Sequence, residues 1–121
     1  MNYILIAIGS ATGGLLRALI SQKLPPIHSF PIATFLVNIL GTFLIGLLAG
    51  HLLHTNSTLR PLLITGFCGG FTTFSTFSKE SYDLIQSGHT PLAILYITSS
   101  ILSAILALYI SRNQTYTINS L

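Results

Sequence analysis

Charge is what this sequence lacks most. Its 121 residues include five Lys and Arg and two Asp and Glu, 6% in all, while 50% are apolar and the mean hydropathy is +0.75. A soluble domain carries about 25% charged residues, so this chain has too few to cover a globule, and lipid is the solvent for most of its surface. The formal net charge of +3 rests on so few residues that it does not signal nucleic acid, and no basic cluster suited to a phosphate backbone is present. With two carboxylates, no Ser-His-Asp set inside the apolar segments and no P-loop, acid–base catalysis has almost nothing to work with. An enzyme is not expected. A single cysteine, Cys68, excludes both an intramolecular disulfide and a Cys-x-x-Cys zinc site, and reads as a small residue packed within the membrane.

What is present is a set of four apolar segments, at about 3–20, 30–53, 59–85 (apolar as far as Phe77, then amphipathic to Ile85) and 92–110, followed by a polar tail at 111–121 that is expected to fray. Each is close to the ~20 residues that cross a ~30 Å hydrocarbon core. The connections SQKLPPIHS, HTNST and QSGHT are short and rich in turn-forming residues. The first segment has no basic flank before it and carries Arg17 near its far end, so it reads as a true first helix rather than a cleaved leader. The expected fold is an all-α membrane protein with one domain of four transmembrane helices.

Four spans place the N-terminus, the second connection and the tail on one side, with Arg60 and Arg112 near the membrane ends. The other side carries Lys23 and Lys79, plus Arg17 if it reaches outward. That leaves almost no positive-inside bias, and an antiparallel homodimer of dual topology is the natural use of such ambiguity. Gly9 and Gly13, Gly46 and Gly50, and Gly66 and Gly70 follow the small-xxx-small spacing of close helix contacts, within or between chains.

The run GFCGGFTTFSTFSKE, Gly66 to Glu80, is unlike a lipid-facing helix. Gly66, Gly69 and Gly70 weaken the helix while Thr72, Thr73, Ser75, Thr76 and Ser78 supply hydroxyls at the same depth, which predicts a third span broken near its centre. Irregular backbone is tolerated in a bilayer only where protein or a hydrated cavity satisfies it, and freed carbonyls suit a cation such as sodium, the alternative being a flexible glycine-rich helix without an ion. Phe67, Phe71, Phe74 and Phe77 fall on one face at helical spacing, which is either packing or a set of ring edges turned toward a small anion. Asn38, midway along the second span, faces either another helix or a pore. Arg17 and Glu80 are membrane-end charges that snorkel or pair with each other. Of the histidines, His28, His51, His54 and His89 all lie in or near connections, and His51 with His54 lacks the further ligands a metal site needs.

These residues resemble the Fluc (CrcB-like) fluoride channels along nearly the whole chain, through GSATGGLLRALIS, FPIATFLVNILGTFLIG and above all GFCGGFTTFSTFSKE. The resemblance implies an antiparallel, dual-topology homodimer in the bacterial inner or plasma membrane, with two fluoride pores and a structural sodium ion at its centre. It implies that backbone carbonyls of Gly69 and Thr72 hold the sodium, with their equivalents in the partner. It assigns the fluoride pathway to Asn38, Phe74, Phe77, Ser75, Thr76, Tyr96 and Ser100, and matches the family's first-span arginine to Arg17; Arg17 and Glu80 are expected to be vestibule or structural charges. Where some members carry a further fourth-span Ser, this chain has Ala104. A rival four-span dimer, a proton-coupled exporter of cations resembling the small multidrug transporters, needs a carboxylate within the membrane. Glu80 and Asp83 lie past the end of the third span, and the other spans have none. A purely structural subunit would leave the hydroxyl-rich run unexplained.

Overall fold

The computed structural model describes residues 2–52 and 58–121, and the elements among them are helices. Helix α1 spans Tyr3–Lys23 and opens on Asn2, whose side-chain oxygen accepts from the Ile4 and Leu5 amides at 3.1 and 3.3 Å. That cap satisfies two of the orphan donors at the helix start. After a turn through Pro25 and Pro26, helix α2 spans Ile32–Leu52. A π-helical segment, Pro61–Cys68, runs into the short helix α3, Gly69–Phe71. Helix α4 follows at Phe74–Gln86, and α5 at Thr90–Ser120, after a turn in which Gly88 takes φ +85°. Three of these helices, α1, α2 and α5, are long and apolar enough to cross a membrane among the described residues.

Two pairs of helices share glycine seams, and both seams lie within one chain. Gly9 and Gly13 of α1 lie against the backbone of the π-helical segment and α3, at Leu62, Gly66, Phe67 and Phe71. Gly46 and Gly50 of α2 lie against Ser111 and Thr115 of α5. In each case the residue numbers rise together, so the paired helices run in the same direction. Removing the side chain lets backbones approach, and in lipid that close packing is a main source of helix association.

Several expectations change here. The second span was placed at 30–53; α2 begins at Ile32, and Leu53 lies outside the described residues, as does His54. The tail does not fray: α5 continues to Ser120. Its residues Ser111 and Thr115 are buried because the missing side chains of Gly46 and Gly50 leave room for them, and their hydroxyls donate to the carbonyls of Leu108 and Ser111 on their own helix. A buried hydroxyl satisfied this way carries no polar penalty, so a sequence that looks solvent-exposed packs as helix.

The glycines of the third apolar segment are not where the backbone leaves the helix. Gly66 is in the π-helical turn and Gly69 and Gly70 are α-helical. The extended residues are Thr72 (φ −83°, ψ 156°) and Thr73 (φ −149°, ψ 120°), β-branched residues at ease in that conformation. The phenylalanines therefore do not share one helical face. Phe67 and Phe71 stack on each other at 5.7 Å, whereas Phe74 and Phe77 form a separate tilted pair at 5.8 Å beyond the extended residues.

Candidate functional site

The extended pair Thr72–Thr73 is held from across the fold by one side chain. Asn38 of α2 accepts from the Thr73 amide through Oδ1 at 2.8 Å and donates through Nδ2 to the Thr73 carbonyl at 3.1 Å. A single amide thus satisfies both backbone groups of a residue that has left its helix. Asn38 faces protein backbone, and its second Nδ2 hydrogen is left for another acceptor. Thr73 in turn caps α4, its Oγ1 accepting from the Thr76 amide at 3.1 Å.

These bonds redirect donors that a continuous helix would have used. The Thr73 amide, which in an unbroken α-helix would reach the Gly69 carbonyl, goes to Asn38; the Thr76 amide, which would reach the Thr72 carbonyl, goes to the Thr73 hydroxyl. Gly69 is exposed and Thr72 half-buried. Between them, the Gly70 carbonyl accepts from Nε of Arg17 at 3.2 Å. Arg17 therefore reaches inward to a helix C-terminus, where a cation is favoured, instead of outward. Its predicted alternative partner, Glu80, accepts from the Tyr96 hydroxyl at 3.2 Å.

An open-sided groove of about 270 Å³ runs beside this junction, lined on α2 by Asn38, Thr42 and Ile45, on the other side by Thr72, Thr73, Phe74 and Phe77, and on α5 by Ser100, Ile101 and Ala104. Phe74 is 79% exposed and Phe77 is buried, so the first ring borders the open side and the second closes the floor. Ser100 is 8% exposed, and its hydroxyl has no hydrogen-bond partner among the described residues. A buried hydroxyl without a partner beside a cavity is a donor in waiting, because leaving it unpaired costs about 1–3 kcal/mol.

A second, smaller cavity of about 120 Å³ is bordered by Ser21, Pro31, Thr34, Thr76 and Glu80. Phe77 and the fully buried Tyr96 lie between its Glu80 wall and the groove, with their rings 5.2 Å apart and Phe30 edge-on to Tyr96 at 5.4 Å.

Of the residues singled out from the sequence, Asn38, Thr72, Phe74, Phe77 and Ser100 thus meet at one groove, with Ala104 beside them. Thr76, Glu80 and Tyr96 belong to the adjoining cavity and its Glu80 bond. Ser75 is exposed, 3.2 Å from the Thr73 hydroxyl, and lines neither. Sequence reasoning missed the hydroxyl of Ser21 on α1, in the cavity, and two threonines of α2, Thr42 in the groove and Thr34 in the cavity. Both threonines lie one helical turn from Asn38 on α2, a spacing that places them on its face.

Comparison with known proteins gives these residues a context. The family described as CrcB-like protein, Camphor Resistance (CrcB), matches residues 4–112. The chain is 42% identical over 109 residues to a protein of Pyrococcus furiosus named "Fluoride-specific ion channel FluC", covering 88% of this chain and 89% of that one. It is also 42% identical over 104 residues to one of the same name from Azobacteroides pseudotrichonymphae, covering 82% and 83%. A Rhodococcus jostii protein, "Fluoride-specific ion channel FluC 2", is 38% identical over 115 residues, covering 95% and 99%.

Proposed function

The chain belongs to the CrcB-like family, a family of multi-pass membrane channels and not of enzymes, and from that membership we propose that it is a fluoride-selective channel that lets cytoplasmic fluoride leave passively. The observation that carries this reading is the groove where Asn38, Phe74, Phe77 and the unpartnered Ser100 hydroxyl converge, all within the stretch 4–112 that the family matches. Hydrogen fluoride crosses membranes as a neutral weak acid and ionises in a near-neutral cytoplasm. An inside-negative potential then drives the anion out at about 2.3 kcal/mol per 100 mV. A pore that rejects chloride therefore lowers fluoride toxicity without any other energy source.

In this reading fluoride exchanges its water for the free Nδ2 hydrogen of Asn38, the Ser100 hydroxyl and the positive ring edges of Phe74 and Phe77, with Thr76 and Tyr96 on the side of the Glu80 cavity. Ser75, beside the Thr73 hydroxyl, is assigned to the path by the family likeness alone. Neutral donors bind an anion loosely enough for it to leave, which a buried lysine would not. Residues 59–85 are one crossing interrupted at Thr72, the fourth beside α1, α2 and α5. The working unit is an antiparallel, dual-topology homodimer. Support for a partner comes from the open side of the groove and the exposed Phe74, which in a single chain leave the path without a wall. The carbonyls of Gly69 and Thr72, relieved of their helical donors, fit a hard cation with oxygen ligands. They would hold a structural sodium at the dimer centre, where it supplies positive charge beside the two pathways.

The test is fluoride efflux from liposomes containing only this protein. Efflux of fluoride well above chloride is expected; no fluoride flux, or equal chloride flux, overturns the reading. Replacing Phe77 with Ile keeps an apolar side chain but removes the ring edge. Fluoride flux is then expected to fall on the order of tenfold, as for losing a contact of about 1 kcal/mol or slightly more, while the elution volume stays that of the wild type. An unchanged rate would remove the ring from the mechanism.

A further inference from the structure

We propose that Thr42 is a second α2 donor to the permeating anion, reached by rotation of its side chain; this rests on the groove being the fluoride path. Thr42 lines the same groove as Asn38, one helical turn further along α2. Beyond Asn38 and Ser100, the walls at this end are Ile45, Ile101 and Ala104, none of which has a side-chain hydrogen-bond donor. Thr72 and Thr73 also line the groove, but the Thr72 hydroxyl donates to the Cys68 carbonyl and the Thr73 oxygen accepts from the Thr76 amide. On the α2 and α5 walls Thr42 is thus the one hydroxyl besides Ser100. A small anion stripped of water among apolar walls has a prohibitive desolvation penalty unless protein donors replace that water.

The present bond of Thr42 is one it can surrender. Its hydroxyl donates to the carbonyl of Asn38 on its own helix. That carbonyl also lies where α2, helical from Ile32 to Leu52, supplies it with the Thr42 amide, so it is not orphaned when the hydroxyl leaves. Threonine in a helix divides between two χ1 rotamers because of this optional bond to the preceding turn. The exchange is therefore between a redundant bond to a neutral carbonyl and a charge-assisted bond to an anion, which is about twice as strong. The Asn38 side chain is not disturbed. When the hydroxyl swings away, the residue whose amide holds Thr73 keeps both of its side-chain bonds, so the groove wall does not have to move.

Thr42→Val preserves shape and removes the donor. In the liposome assay it is expected to lower fluoride flux on the order of tenfold, the effect of one lost charge-assisted hydrogen bond, with an unchanged elution volume. Thr42→Ser is expected to conduct like the wild type. Ala104→Ser, which adds a hydroxyl to the facing α5 wall, is expected to restore flux to Thr42→Val, a rescue that a merely structural role for Thr42 would not allow. Should Thr42→Val fail to give folded protein, Thr42→Ala removes the donor without crowding and must show the same loss. Wild-type flux in either donor-less variant, or loss of flux in Thr42→Ser, overturns the inference while leaving the channel reading intact. A wild-type chain that carries no fluoride overturns both.

Discussion

Asn38→Asp is expected to cut fluoride flux by a hundredfold or more while the chain still folds. The substitution keeps the oxygen that accepts from the Thr73 amide and exchanges the donor to the Thr73 carbonyl for a second oxygen. A fixed negative charge then stands in the groove. At about 4 Å and an effective dielectric of ~20, two like charges repel by about 4 kcal/mol, and even half of that slows passage by more than an order of magnitude. Asn38→Ala costs more of the fold, because Asp still accepts from the Thr73 amide and loses only the bond to the Thr73 carbonyl. The Ala variant leaves both the Thr73 N–H and C=O without their partner, at about 1–3 kcal/mol for each buried group, so the protein should lose thermal stability along with flux. Liposome efflux paired with a melting curve separates the two. An Asp variant that conducts like the wild type would show that the anion does not pass Asn38.

Gly13→Ala is expected to abolish well-folded protein, whereas Gly14→Ala, one residue on, should be nearly silent. A Cβ on Gly13 drives into the carbonyl oxygen of Phe67 and comes within 2.8 Å of the Phe71 amide, both backbone atoms that have nowhere to retreat. On Gly14 the nearest such atom, the Gly70 oxygen, is an ordinary 3.9 Å away. Overpacking costs about 1–3 kcal/mol when side chains can adjust, and here α1 must separate from α3, drawing Arg17 off the Gly70 carbonyl. The fraction of protein eluting as one sharp peak in mild detergent measures this. Equal behaviour of the two variants would mean that the seam does not hold the fold.

The positions of the helices were legible because apolar runs of membrane length have few other uses; α1, α2 and α5 follow directly. The partners of particular residues were not. That Asn38 needed a partner followed from burying an amide in lipid, but that partner is Thr73, 35 residues away, and no local pattern encodes such a pairing. The glycines of the third segment looked like the reason for leaving the helix. Spacing alone cannot distinguish a glycine that bends a helix from one that admits a neighbour, and here Gly66 and Gly70 meet α1 while the threonines extend. The tail misled for a related reason. Ser111 and Thr115 read as solvent-facing until the absent side chains of Gly46 and Gly50 are placed opposite them. Arg17 was expected near a membrane end, yet a carbonyl at a helix C-terminus gave it a closer destination.

Helix α2 meets Thr73 through Asn38 and α5 through Gly46 and Gly50, and those contacts fix more than affinity. Each residue added to an α-helix turns everything beyond it by about 100°. One residue inserted or deleted between Asn38 and Gly46 would swing either the amide away from Thr73 or the glycines away from Ser111 and Thr115. This stretch of α2 therefore acts as a ruler, whose length is set by the two contacts it must meet at once.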